Sequence, residues 1–329
     1  MMRILITGVT GFAGSHMLDY ILSLGEDHQI FGVKRWHLSR MDHIRHQLDH
    51  ITMVDCDLTD PVGVRHLIDQ VRPDVLFHFA AESFIAPSWK HPIRYMQVNY
   101  NATVHLLDAI HHFKLPTIVH IPASGDEYGE VHAEELPIRP ETMLRPLNPY
   151  AVSKIAQNLI GYVYYKSYGL HVIRTRVFNH EGPRREKVFG LPWYAYQIAR
   201  IEAGLQEPLL KVGNIDTRRN FTHIQDIVRA YWLAVQKCKS EEVYLIGSED
   251  EDSIHTFREA LEMLIALSTA GGIHYEIDPI YVRPTNTPLL IADTSQFTQM
   301  TGWKPRIPFS QILVDILAYW RGRVSMQLD

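Results

Sequence analysis

A chain of 329 residues that is 46% hydrophobic and 21% charged has the length and apolar content for one large domain, or for a large domain with a smaller lobe. Lysine and arginine number 32 against 37 acidic residues, a formal charge of -5 that argues against general nucleic-acid binding. With only Cys56 and Cys238, apolar stretches too short for a membrane span and a strand-like pattern directly after Met1, the expectation is no disulfide framework, no membrane partner, no signal peptide and a cytoplasmic location.

Short apolar runs at 3–6, 29–33, 51–54, 75–79, 117–121 and 171–176 read as buried parallel strands, with helices at 14–24, 61–70, 95–112 and Pro149–Tyr168 between them. This βα alternation predicts an α/β fold, a Rossmann-like doubly wound parallel sheet. After Asn179 the rhythm breaks into loops rich in Gly, Pro and Arg, with short helices and strands, as in a smaller mixed α/β C-terminal substrate lobe. The expected division is 1–178 for the dinucleotide-binding domain, with later returns near 221–250 and 289–296, and 179–329 mainly for the lobe. The acidic run at 248–252 reads as a solvated loop.

Thr7-Gly8-Val9-Thr10-Gly11-Phe12-Ala13-Gly14 sets three glycines at the spacing GxxGxxG between the first strand and the first helix. A side chain at that turn would keep the backbone from a pyrophosphate, and the helix N-terminus offers free N–H groups with partial positive charge. Residues 7, 8 and 11–14 are therefore candidates for dinucleotide binding. The second strand ends at Lys34 and Arg35, with Arg40 beyond. Basic groups there suit a 2′-phosphate and favour NADP over NAD; the alternative is a solvated surface pair. Asp57 and Leu58 follow the third strand, where the turn faces an adenine or where Asp57 is only a turn residue. Ala80, after the fourth strand, joins the cofactor set.

Ser124 ends the fifth strand and is placed to hydrogen-bond a reacting oxygen; Asp126, two residues on, is a candidate acid or base, or a loop cap. Adjacent Glu127 is expected to point elsewhere in an extended segment, because side chains alternate. Asn148-Pro149-Tyr150-Ala151-Val152-Ser153-Lys154 carries the central signal. Asn148 caps a helix that Pro149 begins, which puts Tyr150 and Lys154 at i and i+4 on one face. A nearby ammonium and a cationic nicotinamide favour tyrosinate, which takes the proton of a sugar hydroxyl as hydride leaves the same carbon. The paired histidines, His43 with His46 and His111 with His112, read as surface or core residues, and no metal site is expected. The stripe of Tyr162, Tyr164, Tyr165 and Tyr168 reads as packing.

The glycine turn, Ser124 and Tyr150-x-x-x-Lys154 together resemble the extended short-chain dehydrogenase/reductases, over essentially the whole chain. Arg176-Val177-Phe178-Asn179-His180-Glu181-Gly182-Pro183-Arg184-Arg185, Gly213-Asn214, Arg218-Arg219-Asn220-Phe221-Thr222, Tyr231-Trp232, Arg283-Pro284 and Thr301-Gly302-Trp303-Lys304-Pro305 are similar to the GDP-mannose 4,6-dehydratases and the GDP-4-keto-6-deoxy-mannose reductases. The resemblance implies a GDP-sugar substrate held by the C-terminal lobe, with Asn179 and Arg184 near the sugar nucleotide and Arg219 and Arg283 on its diphosphate. It implies NADP, with NAD the alternative, and a homodimer formed by the Tyr150 helix and the one near 99–112, with a tetramer the alternative. Ser124, Tyr150 and Lys154 match the dehydratases, whose remaining acid is Glu; here that position is Asp126, and Asn286 stands where they carry Glu. A 4,6-dehydratase ranks first, and a reductase or a sugar-nucleotide epimerase follows. A cofactor-binding scaffold without chemistry is the non-enzyme alternative.

Overall fold

The computed structural model describes residues 1–282 and 289–327. Among the described residues seven strands form one sheet: β1 (Arg3–Thr7), β2 (Gln29–Lys34), β3 (Thr52–Asp55), β4 (Val75–His78), β5 (Ile118–Ser124), β6 (His171–Val177) and β7 (Val243–Ile246). Their order is β7-β6-β5-β4-β1-β2-β3, and every pairing is parallel. The chain reverses its direction of travel between β1 and β4, where Thr7 pairs with His78. In such sheets a crevice opens at the carboxyl ends of the strands, at that reversal.

Alternation along β1 sends its side chains to two layers. Ile4 and Ile6 pack with α1 (Phe12–Ser23) and a later helix, Ile224–Lys237, through Met17, Leu18, Ile227 and Trp232. Leu5 packs the other way, with α2 (Pro61–Val71), α3 (Ala102–His112) and α4 (Pro149–Tyr168), through Leu67, Leu106 and Tyr164. A separate core binds α5 (Gly190–Glu202), α6 (Phe257–Ala266) and α7 (Phe309–Ser325) to the strand Leu209–Val212, through Leu191, Ile198, Leu261, Ile312 and Trp320. The doubly wound sheet and the mixed second layer of structure are those that the chain's periodicity implies.

Two segments depart from expectation. The helix read over 95–112 begins as a short turn at Pro92–Tyr95, widens to a π-helical turn at Met96–Asn101 and only then becomes α3. Asn99, fully buried in that wide turn, accepts from Glu82 N–H at 2.8 Å and donates to Glu82 O at 3.0 Å and to Ser153 Oγ at 2.9 Å. Strand β5 runs on through Pro122 to Ser124, since Pro122 faces Thr175 in the register with β6. Glu249, Asp250, Glu251 and Asp252 are exposed, as a solvated acidic loop requires.

Candidate active site

The crevice at the β1/β4 reversal opens into a cavity of about 1150 Å³ that runs between the sheet and the second core. Its floor is the glycine turn. Gly8 has a φ of +66, and a Cβ there would stand 2.7 Å from Ala80 N; a Cβ on Gly14 would stand 2.2 Å from Gly8 O. Gly11 N–H closes the turn on Gly8 O at 3.0 Å. No acidic side chain occupies the first turn of α1, so its N-terminal partial charge is not neutralised within the helix. This close-approach cradle fits a pyrophosphate.

Of the residues proposed for the cofactor, Gly8, Gly11, Phe12, Ala13, Gly14, Lys34, Arg35, Asp57, Leu58 and Ala80 line the cavity. Thr7 lies buried beneath it, accepting Ala80 N–H at 3.2 Å. Lys34 is ion-paired with Asp55 at 2.8 Å, a partner that its own strand does not reveal. Arg35 is exposed, and Arg40 lines the same end. Asp57 accepts from the Thr59 N–H at 2.9 Å and the Thr59 hydroxyl at 2.7 Å, so it forms the turn as well as lining the wall.

The reacting end is built on two elements. Asn148 Oδ1 caps α4 by accepting from Ala151 N–H at 2.8 Å, and Pro149 starts the helix. Tyr150 then faces the cavity within hydrogen-bonding reach of Ser124, with the Asp126 charge nearby. Burial pushes the Tyr150 phenol well above its ordinary value; Asp126 adds to this and the Ser124 hydrogen bond opposes it. The phenol is therefore protonated at neutral pH until added positive charge, such as the cationic nicotinamide on which the expectation of tyrosinate rests, offsets that burial. Lys154, buried below, donates from Nζ to Pro122 O at 2.6 Å and to Gln157 Oε1 at 2.5 Å. Burial lowers its ammonium to about 8.

Ser124, Gly125 and Asp126 line the cavity, but the segment is not extended. Gly125–Glu127 forms a 3-10 turn in which Ser124 Oγ accepts from Asp126 N–H at 3.2 Å. Glu127 does point away, although by this turn rather than by strand alternation. It accepts from Ser124 N–H at 3.2 Å and pairs with Arg176 Nε at 2.7 Å, fully buried.

Asn179, Arg184 and Arg219 line the cavity as well. Arg184 is ion-paired with Asp19 of α1 at 2.7 Å. Arg283, like Pro284 and Asn286, lies outside the described residues. Three polar cavity residues of the quoted segment had not been singled out: His180, whose ring stacks on Phe12, and the pair Glu181 and Arg185, 3.2 Å apart. Burial raises the Glu181 carboxyl to about 7, with Arg185 opposing. Arg185 lies 4.0 Å over the Phe189 ring and 5.2 Å over Phe12, so it bridges the phosphate turn to α5. The Arg-Arg step in the sequence was the available signal. Of the paired histidines, His43 lines the cavity with its Nε2 3.2 Å from Tyr319 Oη, His46 Nε2 meets Asp19 at 2.8 Å, and the His111 ring lies 4.3 Å from that of Tyr168. Among the described residues no group of three or more His, Cys, Asp or Glu could hold a metal ion, and no helix is long and apolar enough to cross a membrane.

A family model described as GDP-mannose 4,6 dehydratase matches residues 5–316. The chain is 30% identical over 352 residues to a GDP-mannose 4,6-dehydratase of Yersinia enterocolitica, covering 97% of this chain and 93% of that protein. It is 32% identical over 324 residues to a GDP-6-deoxy-D-mannose reductase of Pseudomonas aeruginosa, covering 98% of each. Among solved structures, RMD from Pseudomonas aeruginosa complexed with NADPH superposes with a TM-score of 0.83 at 29% identity, covering 98% of this chain and all of the other.

Proposed function

The chain belongs to the GDP-mannose 4,6 dehydratase family, and on that premise we propose that it is an NADP-dependent enzyme that converts a GDP-hexose by oxidation at C4, loss of water across C5 and C6, and reduction at C6. The observation that carries this reading is the meeting of Ser124, Asp126 and Tyr150 on the wall of the cavity whose floor is the glycine turn. When bound, NADP supplies the hydride acceptor and donor. Gly8, Gly11 and Gly14 receive its pyrophosphate, and the Arg35 and Arg40 end receives its 2′-phosphate.

The chain's own groups do the rest. Tyr150 exchanges a proton with the sugar's C4 oxygen, Ser124 hydrogen-bonds that oxygen, and Lys154 supplies positive charge from below. Asp126 takes the proton from C5, which the neighbouring C4 carbonyl acidifies, and passes it to the departing C6 hydroxyl, which leaves as water; reduction at C6 is then completed by a proton delivered to C5 from solvent through the same carboxyl. Asn179, Arg184 and Arg219 form the polar wall for the sugar nucleotide, in a lobe that begins at residue 179.

A second reading rests on Asp126 itself. It is one methylene shorter than glutamate, and an error of about 1 Å in placing a reacting group costs on the order of a hundredfold. A GDP-4-keto-6-deoxy-hexose reductase needs no C5 base. Purified protein incubated with GDP-mannose and catalytic NADP is expected to develop an alkali-induced 4-keto chromophore without net cofactor consumption. Asp126→Asn is expected to slow that reaction by about a hundredfold or more. NADPH oxidation seen only with a 4-keto sugar, together with an active Asp126→Asn variant, selects the reductase. Inertness toward every nucleotide sugar rejects both.

The outer face of α4 supports a homodimer. Val152, Leu159 and Val163 are 48%, 50% and 45% exposed at i, i+7 and i+11, one apolar stripe on a surface helix. Leu159→Glu is expected to shift the sedimentation coefficient from dimer to monomer; a monomeric wild type would reject the assembly. The buried thiols of Cys56 and Cys238 support a reducing, cytoplasmic compartment.

A further inference from the structure

Beneath the cavity lies a chain of buried polar side chains with no part in the chemistry above. Gln157 is fully buried; its Oε1 takes a hydrogen from Lys154 Nζ, and its Nε2 donates to Thr103 Oγ1 at 2.9 Å. Thr103 Oγ1 also lies 2.7 Å from Asn99 O and 3.0 Å from His78 Nε2. On the far side His78 Nδ1 lies 2.8 Å from Thr7 Oγ1, which accepts Ala80 N–H.

Counting hydrogens sets every direction in this chain. A hydroxyl has one hydrogen, and a backbone carbonyl only accepts. Thr103 therefore donates to Asn99 O and accepts from both Gln157 and His78. His78 then carries its hydrogen on Nε2, and its Nδ1 accepts from the Thr7 hydroxyl. Burial keeps His78 neutral, holding it down to about 3, so no charged form competes with this tautomer. Gln157 is left with one orientation, since a flipped amide would aim its N–H groups at the ammonium.

We propose that Gln157 is a positioning residue for Lys154: its carbonyl oxygen, held in place through Thr103, His78 and Thr7, takes one ammonium hydrogen and so orients the others. Pro122 O takes a second, which leaves the third for the ligand side. This rests on the assignment of Tyr150 and Lys154 to the proposed reaction. It also ties Lys154 mechanically to Thr7, the last residue of the strand that enters the glycine turn.

The groups that face Lys154 are Glu127 from the turn after β5, backed by Arg176 of β6, His120 of β5, His78 of β4 and Tyr150 of its own helix. Both histidines are neutral, held down to about 3 by burial. The Glu127 charge and the oxygens of Pro122 and Gln157 therefore hold the ammonium against burial.

The test follows the carbon-13 shift of Lys154 Cε against pH in selectively labelled full-length protein. Gln157→Leu removes one acceptor and is expected to lower the midpoint by about one pH unit; Gln157→Glu puts a carboxylate there and is expected to raise it by about as much. The alkaline limb of kcat should move in the same two directions, with KM for the nucleotide sugar little changed. A residue that only packs would alter the melting temperature and leave both midpoints at the wild-type value, and that result overturns the proposal. Should Gln157→Leu fail to fold, Gln157→Glu and Thr103→Val decide, since Thr103→Val frees the amide without touching Lys154 and should also lower the midpoint. Shifted midpoints in a protein that reacts with no nucleotide sugar would sink the proposed function and leave this inference standing.

Discussion

Tyr150→Phe is expected to lower turnover by about a hundred- to ten-thousandfold while dinucleotide affinity changes little. The substitution removes one oxygen and keeps the ring that packs edge-on to Tyr95, centroids 6.4 Å apart, so the top of α4 should keep its place. What is lost is the proton relay. Burial and Asp126 hold the phenol protonated in the ligand-free protein, which suits it to give a proton to a C4 oxyanion. In the oxidising direction it must first lose that proton, and the positive charge of the nicotinamide together with the Lys154 ammonium would draw its pKa down. The deficit should therefore fall on kcat and kcat/KM alike, as for a group whose interaction is made in the transition state. Steady-state kinetics beside calorimetric titration with NADPH measure both quantities. Wild-type turnover in the variant would remove Tyr150 from the chemistry.

The second large effect is on stability. Arg176→Met is expected to destabilise the fold by about 3–5 kcal/mol, read from urea denaturation, because it strands a carboxyl group in the interior. Glu127 is fully buried, and its carboxylate meets Arg176 Nε at 2.7 Å. Burial pushes the Glu127 carboxyl up and the guanidinium pulls it back. Arg176 also donates to Tyr128 Oη at 2.8 Å and Pro140 O at 3.0 Å, so three acceptors lose a donor at once. Replacing both partners, as Glu127→Leu with Arg176→Met, should recover much of the loss, since an apolar pair leaves no carboxyl group unpaired. Because Glu127 Oε1 also holds Ser124 N–H, the double variant should remain slow even where it is stable. A single variant as stable as wild type would show that the pair contributes nothing.

These two residues differ in how far the sequence announces them. Tyr150 stands in a local pattern: a cap, a proline at the first helical position, and a lysine one turn on. Arg176 is the last polar residue of a strand, and nothing within ten residues of it names Glu127, 49 positions earlier. The same holds for Lys34, whose partner Asp55 lies on the neighbouring strand, and for Arg184, which meets Asp19 of the first helix. The wide turn sets the Asn99 amide against Glu82 and Ser153, and the packing of two helices sets Thr103 against Gln157, contacts 17 and 54 positions apart in the chain.

By itself the sequence determined the alternation of strands and helices, the glycine turn at the first crossover, and the tyrosine and lysine on one face of a capped helix. Each of these is written in periods of two or about 3.6 residues, or in a tight turn, so neighbours along the chain carry the whole signal. Only the assembled sheet decided that Arg176 meets Glu127, that Arg184 meets Asp19 and that Pro122 O, 32 positions before it, accepts from the Lys154 ammonium. Those outcomes depend on groups tens of residues apart that meet only when the sheet is assembled. A buried charge or amide must find its partner there, and no local rule names it in advance.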